Sequence, residues 1–430
     1  MAERTTHFRT CPLCEATCGL EVTMEGDAVV RIRGDRDDVF SHGFICPKGS
    51  TLRQLHEDPD RLRAPLVRRD GVHVEVTWDE AFAEVERRLL PVLDAHGREA
   101  SAVYLCNPNV HNHALTIYGR ALLMALGTPN IYSASTVDQM PRHASSGFLY
   151  GNGLAIPVPD LDRTDYLLML GANPLESNGS LCTAPDFPGR IEAIQARGGR
   201  LVVVDPRRTK TAELADEHLV IRPGGDAAWL AALANVILTE GLVDLGDAAA
   251  HLDGVDALGP ALADSRPRRS RRRRGSTRRR RAASPGAGGG ATAAVYGRMG
   301  TNTVEFGTAA SWLTDVVVAL TGNLDRPGGL AHVAHGCTPS PTRRDRGGFR
   351  TGRTHTRVRG YPEVKGEFPV AALAEEITTP GEGQLRALIT VAGNPARSCR
   401  TAPAWRRRSP TSTCWCASTR TSTRRLATPT

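Results

Sequence analysis

Cysteine offers the first chemistry in this chain, because its thiolate binds soft metals and its spacing limits which ones. Four cysteines stand near the N-terminus at Cys11, Cys14, Cys18 and Cys46, in the pattern C-x2-C-x3-C-x27-C. Four thiolates from one small lobe can hold a [4Fe–4S] cluster. The same four would satisfy tetrahedral zinc. Zinc sites usually come as two CxxC knuckles, whereas here the fourth thiol stands alone before Pro47, Lys48 and Gly49. That spacing favours the cluster. A disulfide framework fits least, since nothing marks the chain for secretion.

The stretch CPLCEATCGL…GFICPKG resembles the N-terminal cluster lobe of the molybdopterin oxidoreductases, and the likeness continues in pieces to residue 396. That family binds a bis-molybdopterin guanine dinucleotide carrying molybdenum or tungsten, and includes formate dehydrogenases and nitrate reductases. The resemblance implies that Lys48, two positions after the fourth cysteine, lies between cluster and pterin. Read without it, Lys48 is a solvated surface lysine. SASTVDQMPRH (133–143) occupies the place where family members present the metal's protein ligand. Formate dehydrogenases carry Cys or selenocysteine there, followed by His-Gly-Pro. Aligned on that pattern, Asp138 takes the ligand position and Gln139 the place of the His. Aspartate is a hard oxygen donor suited to oxidised molybdenum, and some nitrate reductases of the family use one. In the other reading Asp138 caps a loop and the metal takes an oxo or hydroxo group. The missing Cys and His weigh against ordinary formate dehydrogenation.

A dinucleotide has phosphates and guanines to hold, and the chain has no GxGxxG. The resemblance directs attention instead to the ends of strands. Gly171, Asn173 and Pro174 close one apolar run where backbone N–H groups can approach a diphosphate, and Ser177 and Asn178 continue that loop. Asp205 ends the next run, where an acid can accept from a ribose or from a guanine's N1 and N2. Arg207 can offset phosphate charge. RPGGD (222–226) resembles the family's RPGTD, with Gly224 in the turn and Asp226 as a second guanine-site or helix-capping acid. VYGRMGTNTVEFGT (295–308) and TGNLDRPGG (321–329) resemble pterin-contacting segments of the first α/β lobe, with Arg298 and Gly300 nearest the ring. ITVAGNPARS (389–398) supplies another such loop at Gly393 and Asn394. Apart from the family, each is an ordinary turn.

Elements must position these loops. Thr77 with Glu80 three residues later forms a capping-box pattern, and Phe82, Val85 and Leu89 follow at helical spacing. SAVYLC (101–106) reads as a buried strand, and HALTIYGRALLMALG as a helix ending at Gly127, with His111 and His113 at its start as capping or surface residues. TDYLLMLGANP and GGRLVVVDP then alternate with helical segments, which implies parallel βαβ units with ligands at the strands' C-terminal ends. The expected fold is α/β: a small iron–sulfur lobe (1–63) plus two α/β lobes with mainly parallel sheets. The first lobe comprises 64–130 and 295–396, and the second, dinucleotide-binding lobe comprises 131–264. The C-terminal β-barrel lobe of full-length relatives is absent from the sequence, so weak cofactor retention is expected.

At 430 residues the chain exceeds one ordinary core. It has no apolar run of membrane-spanning length and no export signal, so a cytoplasmic protein is expected. Eleven arginines fall in 266–281 and eight in 397–425, with no Asp or Glu in either stretch. Taking those nineteen cations from the net charge of +8 leaves −11 on the rest. Residues 265–294 are expected to be a disordered Arg/Gly-rich insert and 397–430 an aberrant, disordered tail. Having no aromatic residues, the insert offers nucleic acid only a nonspecific attraction. Both stretches read as products of a shifted frame in GC-rich coding DNA, which resequencing the gene would test. The function expected is a two-electron oxidoreductase catalytic subunit acting on a small-molecule substrate, with electrons leaving through the cluster to a redox partner protein. The alternative is a non-catalytic iron–sulfur subunit of a respiratory complex.

Overall fold

Apolar runs that do not alternate must be covered on both faces, and YLLML and LVVV are such runs. In the computed structural model, which describes residues 3–182, 184–265, 292–332, 348–398 and 414–418, Tyr166–Leu170 and Arg200–Val204 pair in parallel, with Leu168 opposite Val202. Glu217–Leu219 and Ala293–Gly297 flank them in parallel, giving the order 217–219, 200–204, 166–170, 293–297. Leu168, Leu170, Val202 and Val204 pack among residues of helices Asp226–Thr239 and Gly307–Leu320. Leu167, Met169, Leu201 and Val203 face the other way, against Phe187, Ile191 and Ile194 of helix Phe187–Ala196. Burying each such side chain contributes about 1.5–3 kcal/mol, so the two-sided core fixes the sheet firmly. The sheet belongs to a unit made of Val39–Cys46 and Asp138–Phe349.

The other unit comprises Met1–Asp38, Pro47–Val137 and Arg350–Thr430. Its N-terminal part is an antiparallel meander of Arg4–Thr10, Gly19–Glu25 and Ala28–Gly34. A hairpin joins Leu66–Arg69 to Val72–Glu75 through Asp70 and Gly71, both at positive φ (49° and 82°), the backbone a two-residue turn demands. The capping box forms as the spacing predicts: Glu80 N donates to Thr77 Oγ1 at 3.2 Å and Thr77 N to Glu80 Oε2 at 3.0 Å, opening helix Trp78–His96. Ser101–Leu105, Ile131–Ser133 and Ala387–Val391 form a parallel sheet. Leu89, Val92, Val103 and Leu126 pack together in one of its cores, and Tyr104, Tyr132, Phe368, Leu373 and Leu388 in the other.

Five expectations change. The chain passes from the first unit to the second at Asp138, not near 131, because Ile131–Ser133 pairs with Ser101–Leu105. It returns at Arg350, not near 295, because Ala293–Gly297 pairs with Tyr166–Leu170. The segments 295–308 and 321–329 therefore belong to the second unit, and Ala293 and Ala294, placed by sequence inside the insert, open a buried strand. The meander groups with the first α/β unit instead of standing apart. Finally, Cys414–Ser418, inside the tail expected to be disordered, pairs in parallel with Ala387–Val391. Its run CWCAS suits an otherwise open sheet edge. The remainder of the arginine-rich insert (266–291) and of the tail (399–413 and 419–430) lies outside the described residues.

Candidate functional site

The second unit's sheet runs outward from Tyr166–Leu170 to Glu217–Leu219 and then resumes on the opposite side with Ala293–Gly297. Strand order thus reverses between 166–170 and 293–297, and such a switch point is where open parallel sheets bind ligands. Gly171 and Gly300 meet there. Gly300 N donates to the Gly171 carbonyl at 2.9 Å. A Cβ built on Gly171, whose φ is +54°, would lie 2.6 Å from Gly300 Cα, and one on Gly300 would lie 2.6 Å from Gly171 Cα. Neither position admits a side chain.

Arg298 enters the same place, 7% exposed. Its Nη1 donates to the Asp138 carbonyl at 3.0 Å and its Nη2 to Ser180 Oγ at 2.8 Å, while its buried Nε has no partner among the described residues. Asn302 Nδ2 also donates to the Asp138 carbonyl, at 3.1 Å. Burial pushes the Asp138 carboxyl above the usual carboxylate range, partly offset by the Arg298 charge and a backbone hydrogen bond. Gln139 caps helix Met140–Tyr150, its carbonyl accepting from Arg142 N and His143 N at 3.0 and 3.2 Å. The sequence signal thus brings Asp138, Gln139, Arg298, Gly171 and Gly300 together.

Along the same sheet edge, Asn173 opens the short helix Pro174–Ser177, and its Oδ1 accepts from Thr211 Oγ1 at 2.7 Å. Ser177 Oγ donates to the Asn173 carbonyl at 3.3 Å, and Asn178 ends the turn at φ +58°. Asp205 follows strand Arg200–Val204. Its Oδ1 accepts from Arg207 N at 2.8 Å and its carbonyl from His218 Nε2 at 3.0 Å. Arg207 itself is exposed, as is Gly224 at φ +78°. Asp226 is the first residue of helix Asp226–Thr239 and is buried. Burial raises its pKa, and the Asp205 charge adds to the rise against a backbone hydrogen bond. Gly225 takes the N-cap position of that helix, one residue before Asp226.

In the first unit the loop between the first two strands carries three of the four thiols. Cys11 N donates to the Cys18 carbonyl at 2.9 Å and Thr17 N to the Cys14 carbonyl at 3.3 Å, with Thr17 at φ +45°. This folds Cys11, Cys14 and Cys18 into one turn; Cys11 and Cys18 are buried and Cys14 half-buried. Cys46 is buried in the segment Val39–Cys46, which groups with the other unit. Among the described residues no group of three or more His, Cys, Asp or Glu is disposed to hold a metal ion as it stands. Lys48 is exposed in the turn Pro47–Ser50. Gly393 follows strand Ala387–Val391 and sits against Cys106 and the Tyr104 ring, where a Cβ would lie 2.6 Å from Cys106 Cβ; Asn394 follows it. His113 begins helix His113–Leu126, while His111 Nε2 stands 3.9 Å from Glu15 Oε2.

Sequence reasoning missed a buried ion pair behind the switch point. Arg142 Nη1 donates to Asp315 Oδ2 at 2.7 Å, linking helices Met140–Tyr150 and Gly307–Leu320. The usable signal was polar crowding: Arg142, His143, Ser145 and Ser146 are consecutive or nearly so, which an exposed helix face would not be.

The residues present fit the groups the resemblance implies. Thiolates suit iron and sulfide. The side-chain-free contact of Gly171 with Gly300, beside a buried guanidinium with an unmatched donor, suits an anionic, flat ligand. Matches to known proteins agree. Residues 61–401 match the family described as molybdopterin oxidoreductase, and residues 7–58 match the molybdopterin oxidoreductase Fe4S4 domain. A nitrate reductase of Symbiobacterium thermophilum is 32% identical over 253 residues, covering 56% of this chain and 32% of its own. Formate dehydrogenase H of Escherichia coli is 26% identical over 253 residues, covering 57% and 34%. Among solved structures, acetylene hydratase from Pelobacter acetylenicus superposes with a TM-score of 0.59 at 21% identity, over 73% of this chain and 43% of that one, a likeness of fold. The matched region spans about a third of the curated relatives' length.

Proposed function

Because this chain belongs to the molybdopterin oxidoreductase family, we propose that it acts within the catalytic subunit of a molybdenum or tungsten bis-pterin enzyme that oxidises or reduces a small molecule by two electrons. The observation that carries this is the switch-point cradle, where Gly171 meets Gly300 beside the buried Arg298 and the Asp138 turn. When bound, the metal and pterins supply the two-electron chemistry, and the cluster provides the exit for single electrons. Cys11, Cys14, Cys18 and Cys46 hold the cluster, and Lys48 lies on the path from it. Asp138 offers the metal a hard carboxylate oxygen. Burial raises the pKa of that carboxyl, and the Arg298 charge opposes the rise and favours the anion that would bind a metal. Arg298 keeps positive charge close to that carboxylate. Asp205 and Asp226 accept from a guanine's N1 and N2, with Asn173 and Gly171 shaping the phosphate turn. Electrons pass to a redox partner protein, and the setting is cytoplasmic. Among the described residues no helix is long and apolar enough to cross a membrane.

Metal analysis and pterin extraction on anaerobically purified chain test this reading. About four iron per chain are expected, with molybdenum or tungsten present below one per chain because the pterins are held weakly. Iron alone would favour the non-catalytic carrier, and zinc alone would overturn the cluster.

A further inference from the structure

The proposed ligand Asp138 is held by its main chain. Its carbonyl accepts from Arg298 and from Asn302, and the Asn302 amide is itself oriented, because Ser311 Oγ donates to Asn302 Oδ1 at 2.9 Å. With Oδ1 engaged, only Nδ2 is left to face Asp138. Both Asn302 and Ser311 are buried, at 4% and 3% exposure. The Ser311 carbonyl accepts from Arg142 Nη1 at 3.2 Å, and Arg142 N donates to the Gln139 carbonyl at 3.0 Å. The chain of hydrogen bonds thus returns to the residue after its starting point. It encloses the peptide between Asp138 and Gln139 in a ring braced by the Arg142–Asp315 pair.

We propose that Asn302 is a positioning residue: with Arg298 it clamps the Asp138 carbonyl, fixes the Asp138–Gln139 peptide, and so sets the direction in which the Asp138 carboxylate meets the metal. This rests on the reading of Asp138 as a metal ligand. Partners that orient a ligand govern affinity and rate even though they never touch the metal. An amide serving only core satisfaction would have no reason to converge with a guanidinium on one carbonyl beside the site.

Asn302→Asp is nearly isosteric and still accepts from Ser311, but as the carboxylate it has no donor for Asp138. In the metal-free full chain, hydrogen exchange at the Arg142 and His143 amides, which donate to Gln139, should quicken about tenfold, as for one lost buried hydrogen bond. Exchange at Val202 and Val203 should stay unchanged. Ser311→Ala, which frees the amide to rotate, should give a smaller change of the same sign and decides the matter if Asn302→Asp does not fold. In the metal-loaded chain, Asn302→Asp should alter the metal's electron paramagnetic resonance signal, leave the cluster's signal intact, and lower kcat about 10- to 100-fold. Unchanged exchange in both variants would overturn the clamp. Quickened exchange with an unaltered metal signal would reduce Asn302 to a core residue. If the parent takes up neither molybdenum nor tungsten, the functional reading fails, while the exchange data still judge the clamp.

Discussion

A methyl group added at Gly171 would need the Gly300 backbone to move, and it would sit on a residue held at φ +54°. Gly171→Ala should therefore lose about 2–4 kcal/mol from strain and overpacking together, read from urea unfolding. A loss under about 0.5 kcal/mol would mean the two turns are not in contact. Asp226 gives a prediction in pH. Its folded pKa is raised above the ordinary 3.8, so its contribution to stability is full below the ordinary carboxylate range and is lost as pH rises through the raised value. Asp226→Asn should melt higher than the parent at about pH 7, and the difference should close toward about pH 3. A constant difference across that range would refute it. At this scale the sequence disclosed residues that stand next to a turn or a strand end, such as Gly171, Asp205 and Asp226. It hid Asn302 and Ser311, whose meaning comes from a fold-dependent meeting with Asp138.

Helix Trp78–His96 shows what local chemistry alone can set. Its cap is complete within four residues, so Thr77→Ala should cost about 1 kcal/mol in thermal unfolding; no measurable cost would mean the box does not form in solution. The same locality explains why the strands were legible: five buried residues in a row at Tyr166–Leu170 leave few alternatives. Which strand lies beside them was not legible. AAVYG suits either sheet by composition, and only its register against YLLML, set by packing across the sheet, assigns it to the second unit.

Across the whole chain, the cluster loop is the part whose folding depends on something other than burial. Cys14→Ser should abolish the broad visible absorption of the oxidised cluster and loosen the loop between the first two strands, since metal binding is folding energy for so short a segment. An unchanged spectrum with bound zinc would refute the assignment. The interleaved path of the chain has a further consequence, and it falls on biosynthesis. Asp138–Phe349 is completed before Arg350 leaves the ribosome, so the second unit's α/β sheet can close while the first still waits. Ser101–Leu105 is made early, yet its neighbour Ala387–Val391 comes near the end. At cellular elongation speeds the gap is on the order of tens of seconds. For that interval Val103 and Tyr104, both fully buried in the finished protein, belong to a strand whose partner on one side does not yet exist. Production of this chain should therefore respond to chaperone supply and growth temperature more sharply than its finished stability would suggest.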